Sequence, residues 1–117
     1  MSYVDGFLVA VPKDKIEAYS ELARKAGEVW KEHGAIAVVE CVADDVPYGE
    51  LTSFPRAVRV KEDETVIFAW IVYESREARD EINAKVMADE RLKGDMADMP
   101  FDGKRMIFGG FRPIVEL

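Results

Sequence analysis

Apolar residues change their spacing repeatedly along this chain, and the changes divide it into strands and helices. Residues 3–11, YVDGFLVAV, are rich in β-branched and aromatic types and stop at Pro12, which has no amide to donate, so a first strand is predicted there. From Lys13 the spacing turns to three and four. Ile16, Tyr19, Leu22, Ala23, Ala26, Val29, Trp30 and His33 would line one face of a helix, with Gly34 capping its end. Residues 35–43, AIAVVECVA, return to strand character. Residues 44–63, with Pro47, Gly49 and Pro55, read as a long loop containing a short helical turn at SFPRAV. Residues 65–73, TVIFAWIVY, have the strongest strand composition in the chain. Ser75 is placed as the N-cap of a second helix that carries Ala78, Ile82 and Val86, runs to about Arg91 and is broken by Gly94. A last strand is expected over 104–116, introduced by a hairpin-type turn at Asp102-Gly103.

The order is βαββαβ, read as a single domain over residues 1–117. Two βαβ units with right-handed crossovers give a ferredoxin-like α+β fold, a four-stranded antiparallel sheet with both helices on one face. Alternation then exposes a difficulty. Tyr3, Asp5, Phe7 and Val9 alternate with Val4, Gly6, Leu8 and Ala10, and Val66, Phe68, Trp70 and Val72 alternate with Ile67, Ala69, Ile71 and Tyr73. Both faces are mainly apolar, whereas a sheet face in water is usually polar. The second face needs a cover, and the simplest is another copy of the same sheet, closing a homodimeric α/β barrel.

The blocks YVDGF, EVWKEHGA leading into VVECVADDV, TSFPRAV, VIFAWIVYESREARDE, NAKVMAD and MPFDGKRMIFGGF occur in this order over essentially the whole chain. Together they resemble a small bacterial family, the YbaA-like proteins, defined as domain of unknown function number 1428. The resemblance implies a dimeric α/β barrel. It implies no established activity and no set of catalytic residues.

Composition narrows the functional classes. The 117 residues carry 16 Lys and Arg against 23 Asp and Glu, a net charge of −7. Nucleic-acid affinity comes largely from cations that displace phosphate counterions, so no nucleic-acid partner is expected. Arg56, Arg59 and Lys61, or Lys104 and Arg105, read as solvated strand and loop charges. Cys41 is the single cysteine, which excludes an intramolecular disulfide and a thiolate metal cluster; inside AIAVVECV it reads as a buried, inert thiol. His33 is the single histidine, so neither a His-based triad nor a multi-histidine metal site can be built within one chain, and a capping role at the end of the first helix is expected. No metal or cofactor is called for. The longest apolar run, VIFAWIVY, is far shorter than the ~20 residues of a membrane helix, and the N-terminus has no signal-like core. A cytoplasmic protein without membrane partners is expected.

The candidate chemistry rests on charges that interrupt apolar strands. Asp5 and Glu40 each do so, and if a partner covers their face both point into the barrel, roughly 10 Å apart with Trp70 between them. Buried carboxylates of raised pKa beside an aromatic suit proton transfer to a small ligand, with Tyr3 lining the same site. The competing reading pairs them with cations or backbone donors as structural groups. Lys104 or Arg105 is placed to reach a ligand acid at the barrel mouth, with loop 44–63 as a lid. The glycines of IFGGF read as a bulge or a close backbone approach. The functional expectation is a homodimer that binds or transforms a small apolar metabolite, by analogy with other dimeric α/β barrels. The alternative is a non-catalytic structural or interaction protein with an acidic surface and a barrel filled by Phe7, Phe68, Trp70 and Met106. The inward set of the last strand, Met106, Phe108 and Gly110 or Ile107, Gly109 and Phe111, is left open.

Overall fold

A computed structural model describes residues 2–93 and 99–117. Strand β1 (Tyr3–Pro12) passes through a 3-10 turn (Lys13–Lys15) into helix α1 (Ile16–Glu32). Strand β2 (Ala37–Val42) leads through a loop holding the short helix α2 (Phe54–Ala57) to strand β3 (Glu64–Tyr73). Helices α3 (Arg76–Met87) and α4 (Glu90–Lys93) follow, then a 3-10 turn (Gly103–Arg105) and strand β4 (Ile107–Phe111). The four strands form one antiparallel sheet in the order β2-β3-β1-β4, the ferredoxin-like arrangement expected from the pattern.

Local signals act where the sequence places them. Gly34 takes φ +119°, a left-handed conformation that ends α1. The Ser75 hydroxyl accepts from the Ala78 amide at 3.0 Å and caps α3. Ser53 caps α2 in the same way, accepting from the Arg56 amide at 3.1 Å. The second helix is shorter than expected, because Asp89 interrupts it and its side chain accepts from the Arg91 amide at the start of α4. Gly94, the expected breaker, lies outside the described residues.

The helices cover one face of the sheet. Val9, Val11, Ile67 and Ala69 pack with Tyr19 of α1, while Ile71 and Tyr73 pack with Val29 of α1 and Ile82 and Val86 of α3. A third cluster lies on the opposite face, where Val58 and Val60 of the long loop press on Ala10 and Val66. Phe54 of α2 meets Phe68 edge-on at 5.6 Å, and Phe68 meets Trp70 at 5.6 Å. Loop 44–63 therefore covers one end of the second face. The rest of that face, with Phe68, Trp70, Ile107 and Phe111, is bare. Cys41 belongs to it and is exposed, so its expected burial is corrected: it lies on β2, an edge strand of the sheet.

The last strand also differs from expectation. Asp102 does not open a hairpin; its carboxylate accepts from the Lys104 amide at 3.0 Å and caps the 3-10 turn. Strand β4 is five residues long rather than thirteen, since it pairs only with Val4–Leu8 of β1. Arg105 is held by this turn. Its guanidinium makes a two-pronged contact with the buried Glu64 carboxylate at 2.7 and 2.8 Å, and also reaches Asp102 and the Arg59 carbonyl. Arg105 thus ties the 3-10 turn to β3 and is occupied, not free for a ligand acid. Lys104 beside it is exposed.

The Arg105 guanidinium and the Lys61 amide hold the Glu64 carboxyl below the usual carboxylate range. A depressed carboxylate contributes stability that is present above its unfolded-state pKa and is lost as pH falls through the folded value. Arg105→Ala is expected to lower unfolding free energy at pH 7 by about 2 kcal/mol, because it strands a buried charge. The gap between wild type and variant should shrink below about pH 4. Urea unfolding across pH checks both.

Candidate functional site

Register decides where the charged strand residues point. Asp5 pairs with Ile71 and Glu40 with Ala69, and both β3 residues face the helices. Trp70 pairs with Gly6 and Val39 and lies on the opposite, bare face. The expectation that Asp5 and Glu40 flank Trp70 inside a barrel is therefore corrected. The carboxylates lie under α1 and α3, two strands apart and two residues out of level, in separate settings. Phe7 and Met106, expected to fill the barrel, also pack against the helix-side clusters.

Asp5 belongs to a buried polar network. Tyr73 donates to its carboxylate at 2.9 Å, and the Arg79 guanidinium lies 3.2 Å from its other oxygen. The Asn83 side-chain oxygen lies 3.3 Å from the Tyr73 hydroxyl and accepts from the Trp30 indole at 3.0 Å. Burial, then the charge of Asp5, pushes the Tyr73 phenol well above its ordinary value. Tyr3 completes the network: Arg79 stacks over its ring at 5.0 Å and donates to its hydroxyl at 3.3 Å. Both side chains cross β4 at Gly110, where a Cβ would collide with the Arg79 guanidinium and the Tyr3 hydroxyl. That is the close backbone approach expected from the glycine pair. Every charge in this network is engaged within the chain, so its chemistry is structural. Arg79 and Asn83 are missed by sequence reasoning, although their i,i+4 spacing beside Ala78, Ile82 and Val86 puts them on the sheet-facing side of α3.

Glu40 has a different setting. A groove of about 750 Å³ runs between α1 and β2, lined by the apolar Ile16, Ala23, Val38, Val42 and Ile67 and by the charged Arg24, Glu28, Lys31 and Glu32 of α1. Helix and strand are close at Gly27, where a Cβ would stand 3.1 Å from Val38. At the base, the Tyr19 hydroxyl donates to the Glu40 carboxylate at 2.7 Å. Glu40 as a whole is exposed, yet its carboxyl turns inward beside Tyr19, and this desolvation raises its pKa above the ordinary value against the lowering effect of the Tyr19 bond. The Tyr19 phenol is itself pushed up by burial and by the nearby carboxylate. The hydrogen-bonded pair lines the groove between α1 and β2. Tyr19, which the helical stripe marks only as core, proves to be its other half.

His33 terminates α1, where its amide donates to the Val29 carbonyl, and its ring lies 3.0 Å from Asp89. Arg91 and His33 hold the Asp89 carboxyl well below the usual range. The expected capping role is what the structure shows. Among the described residues no group of three or more His, Cys, Asp or Glu is arranged to hold a metal ion.

With this geometry in hand, comparison with known proteins places the chain. The family described as "Protein of unknown function (DUF1428)" matches residues 2–103. The chain belongs to this family. It is 55% identical over 116 residues to "Uncharacterized protein YbaA" of Escherichia coli K12, covering 99% of each chain, and to the Shigella flexneri protein of the same name at the same level. Among solved structures it is similar to a dimeric ferredoxin-like protein from an uncultured marine organism, with a TM-score of 0.62, 11% identity and full coverage of both chains. A NIPSNAP family protein from Agrobacterium tumefaciens matches with a TM-score of 0.58 and 15% identity, covering 96% of this chain and 87% of that one. At such identities these structures show the shared fold alone.

Two measurements test the assignments. Glu40 should titrate above an ordinary glutamate in carboxyl-detected NMR, and Tyr19→Phe should raise its midpoint further by removing the bond that lowers it. Gly110→Ala should cost about 1–3 kcal/mol by crowding Arg79 and Tyr3. In a Tyr3→Ala background the same change should cost less, as a thermal-unfolding double-mutant cycle would show.

Proposed function

We propose that the protein is a single-domain homodimer, two copies closing their bare sheet faces into a barrel, and that each copy binds a small, largely apolar molecule in the α1–β2 groove. The observation that carries the ligand reading is the Tyr19–Glu40 pair at the base of that groove. A few convergent polar atoms inside a mainly apolar concavity of several hundred Å³ are what orients a small ligand. Glu40, desolvated beside Tyr19, exchanges the proton of a bound oxygen or acidic C–H, and the Tyr19 hydroxyl holds its carboxylate in position. Of the other candidate residues, Asp5 and Tyr3 serve the network under α3, Trp70 serves the dimer face and Arg105 serves Glu64.

The apolar second face supports the homodimer, as does the likeness to a protein described as dimeric. In the dimer Leu8, Phe68, Trp70 and Phe111 fill the barrel, so the filled barrel of the alternative reading and a ligand in the outer groove are compatible. No helix among the described residues is long and apolar enough to cross a membrane. The net charge of −7 disfavours a nucleic-acid partner. We place the protein in the cytoplasm, with no cofactor.

Native mass spectrometry of protein purified gently from cells tests this reading. A dimer carrying extra mass is expected, with the added mass lost in Ala23→Trp, which fills the groove. A dimer whose mass equals two chains, even at low ionising energy, would overturn the ligand reading, and a monomer would overturn the covered-sheet reading.

A further inference from the structure

Loop 44–63 and the sheet beneath it frame a second, open hollow of about 560 Å³, on the face of the sheet away from α1. Its floor is apolar, formed by Ala43 after the end of β2, Val66 of β3, and Val46, Pro55 and Val60 of the loop. Main-chain bonds fix these walls to one another. The Ala43 amide donates to the Val66 carbonyl at 2.9 Å, the Val60 amide to the Pro55 carbonyl at 3.0 Å and the Lys13 amide to the Asp63 carbonyl at 2.8 Å. Tyr48 lines the same hollow. The Arg56 guanidinium lies 4.1 Å from its ring centre and donates to the Tyr48 and Gly49 carbonyls at 3.1 and 2.8 Å, which clamps this part of the loop. Gly49 turns the chain there at φ +69°, where a Cβ would stand 2.7 Å from the Thr52 carbonyl oxygen. The hollow is therefore formed in advance of any ligand, which lowers the ordering cost of binding.

Charges of both signs line it. Lys13 and Lys61 supply two, Asp44 and Glu62 two more, and Glu64 lies beside them. Glu64 is neutralised by its two-pronged contact with Arg105. The other four differ. Among the described residues none of their side chains makes a hydrogen bond or an ion pair. A ligand of a single charge would be attracted by two of them and repelled by the other two. A ligand with both charges at one end and an apolar group at the other answers both pairs and covers the floor.

We propose that this hollow binds a small zwitterion with an apolar or aromatic side chain, the chemistry of a hydrophobic amino acid. Its carboxylate faces Lys13 and Lys61, its ammonium faces Asp44 and Glu62, and its side chain lies on the valines beside Tyr48. The site is apart from the α1–β2 groove and does not depend on it. Loop 44–63, expected from the sequence to be a lid over a ligand acid, becomes a fixed wall of the site. Lys61 takes the place of Arg105, which Glu64 occupies, as the cation for that acid.

Valine-methyl NMR of the intact chain tests the site, with L-phenylalanine as the probe and 3-phenylpropanoate and 2-phenylethylamine as analogues that carry one charge each. Saturable shifts of the Val46, Val60 and Val66 methyls with L-phenylalanine are expected. Each analogue should bind about five- to tenfold more weakly, the loss of one charge-assisted contact. Lys61→Gln should weaken L-phenylalanine and 3-phenylpropanoate but not 2-phenylethylamine, and Glu62→Gln should weaken L-phenylalanine and 2-phenylethylamine but not 3-phenylpropanoate. Both positions are exposed, and circular dichroism confirms that the variants fold. No shift at these methyls up to about 10 mM probe would overturn the proposal, as would equal binding of the three probes. Shifts confined to Val38 and Val42 would also overturn it, while supporting the α1–β2 groove.

Discussion

Everything in this molecule depends on a sheet that is apolar on both faces with helices enough for only one. α1 and α3 bury Val9, Val11, Ile67, Ile71 and Tyr73 on one side. Val58, Val60 and Phe54 protect one end of the other side, and Phe68, Trp70, Ile107 and Phe111 are left in the open. Burial of apolar area is the main favourable term in folding and in most associations, so a surface of this kind gains from being covered. The long loop belongs to the same solution. It is a partial cover for the second face, which gives it a packing role along its Val58–Val60 segment.

The helix side meets a different demand, because polar groups enter the layer between helix and sheet. Asp5, Tyr73, Asn83, Trp30, Arg79 and Tyr3 are linked by hydrogen bonds, an Arg79–Asp5 ion pair and one cation–aromatic contact. Such networks fix one packing arrangement when they are complete and are costly when one member is missing. Gly110 belongs to this network as much as its polar members do, since only a residue without a side chain lets Arg79 and Tyr3 lie across β4. Tyr19 and Glu40 are the other polar pair in this layer, and they open onto a groove. The first network closes on itself, whereas the second pair faces the groove.

Much of the fold was legible because its signals are local. Strand composition in TVIFAWIVY, the three-and-four spacing of Ile16 to Val29, the helical turn at SFPRAV, Gly34 and the Ser75 cap each act within a few residues, and all appear where the sequence puts them. The strand expected over 104–116 forms only over Ile107–Phe111, because β4 pairs with β1 only between Leu8 and Val4. The site was legible in part. Glu40 stood out as a charge in an apolar strand, but its partner Tyr19 lies 21 residues away on a helix, and nothing in the helical stripe distinguishes it from core. Asp5 and Trp70 looked like neighbours because alternation within a strand does not say which set of one strand shares a face with which set of the next.

By itself the sequence determined the element order, the caps and a sheet with two apolar faces, because hydrophobic period and capping chemistry are properties of short segments. Tertiary structure alone decided which face the helices take. That choice sent Asp5 and Glu40 under the helices, left Trp70 and Cys41 on the bare side, and joined Arg105 to Glu64 across 41 residues. The physical reason is strand register. Pairing Asp5 with Ile71 and Glu40 with Ala69 assigns both carboxylates to one layer, and a shift of one residue would have assigned them to the other.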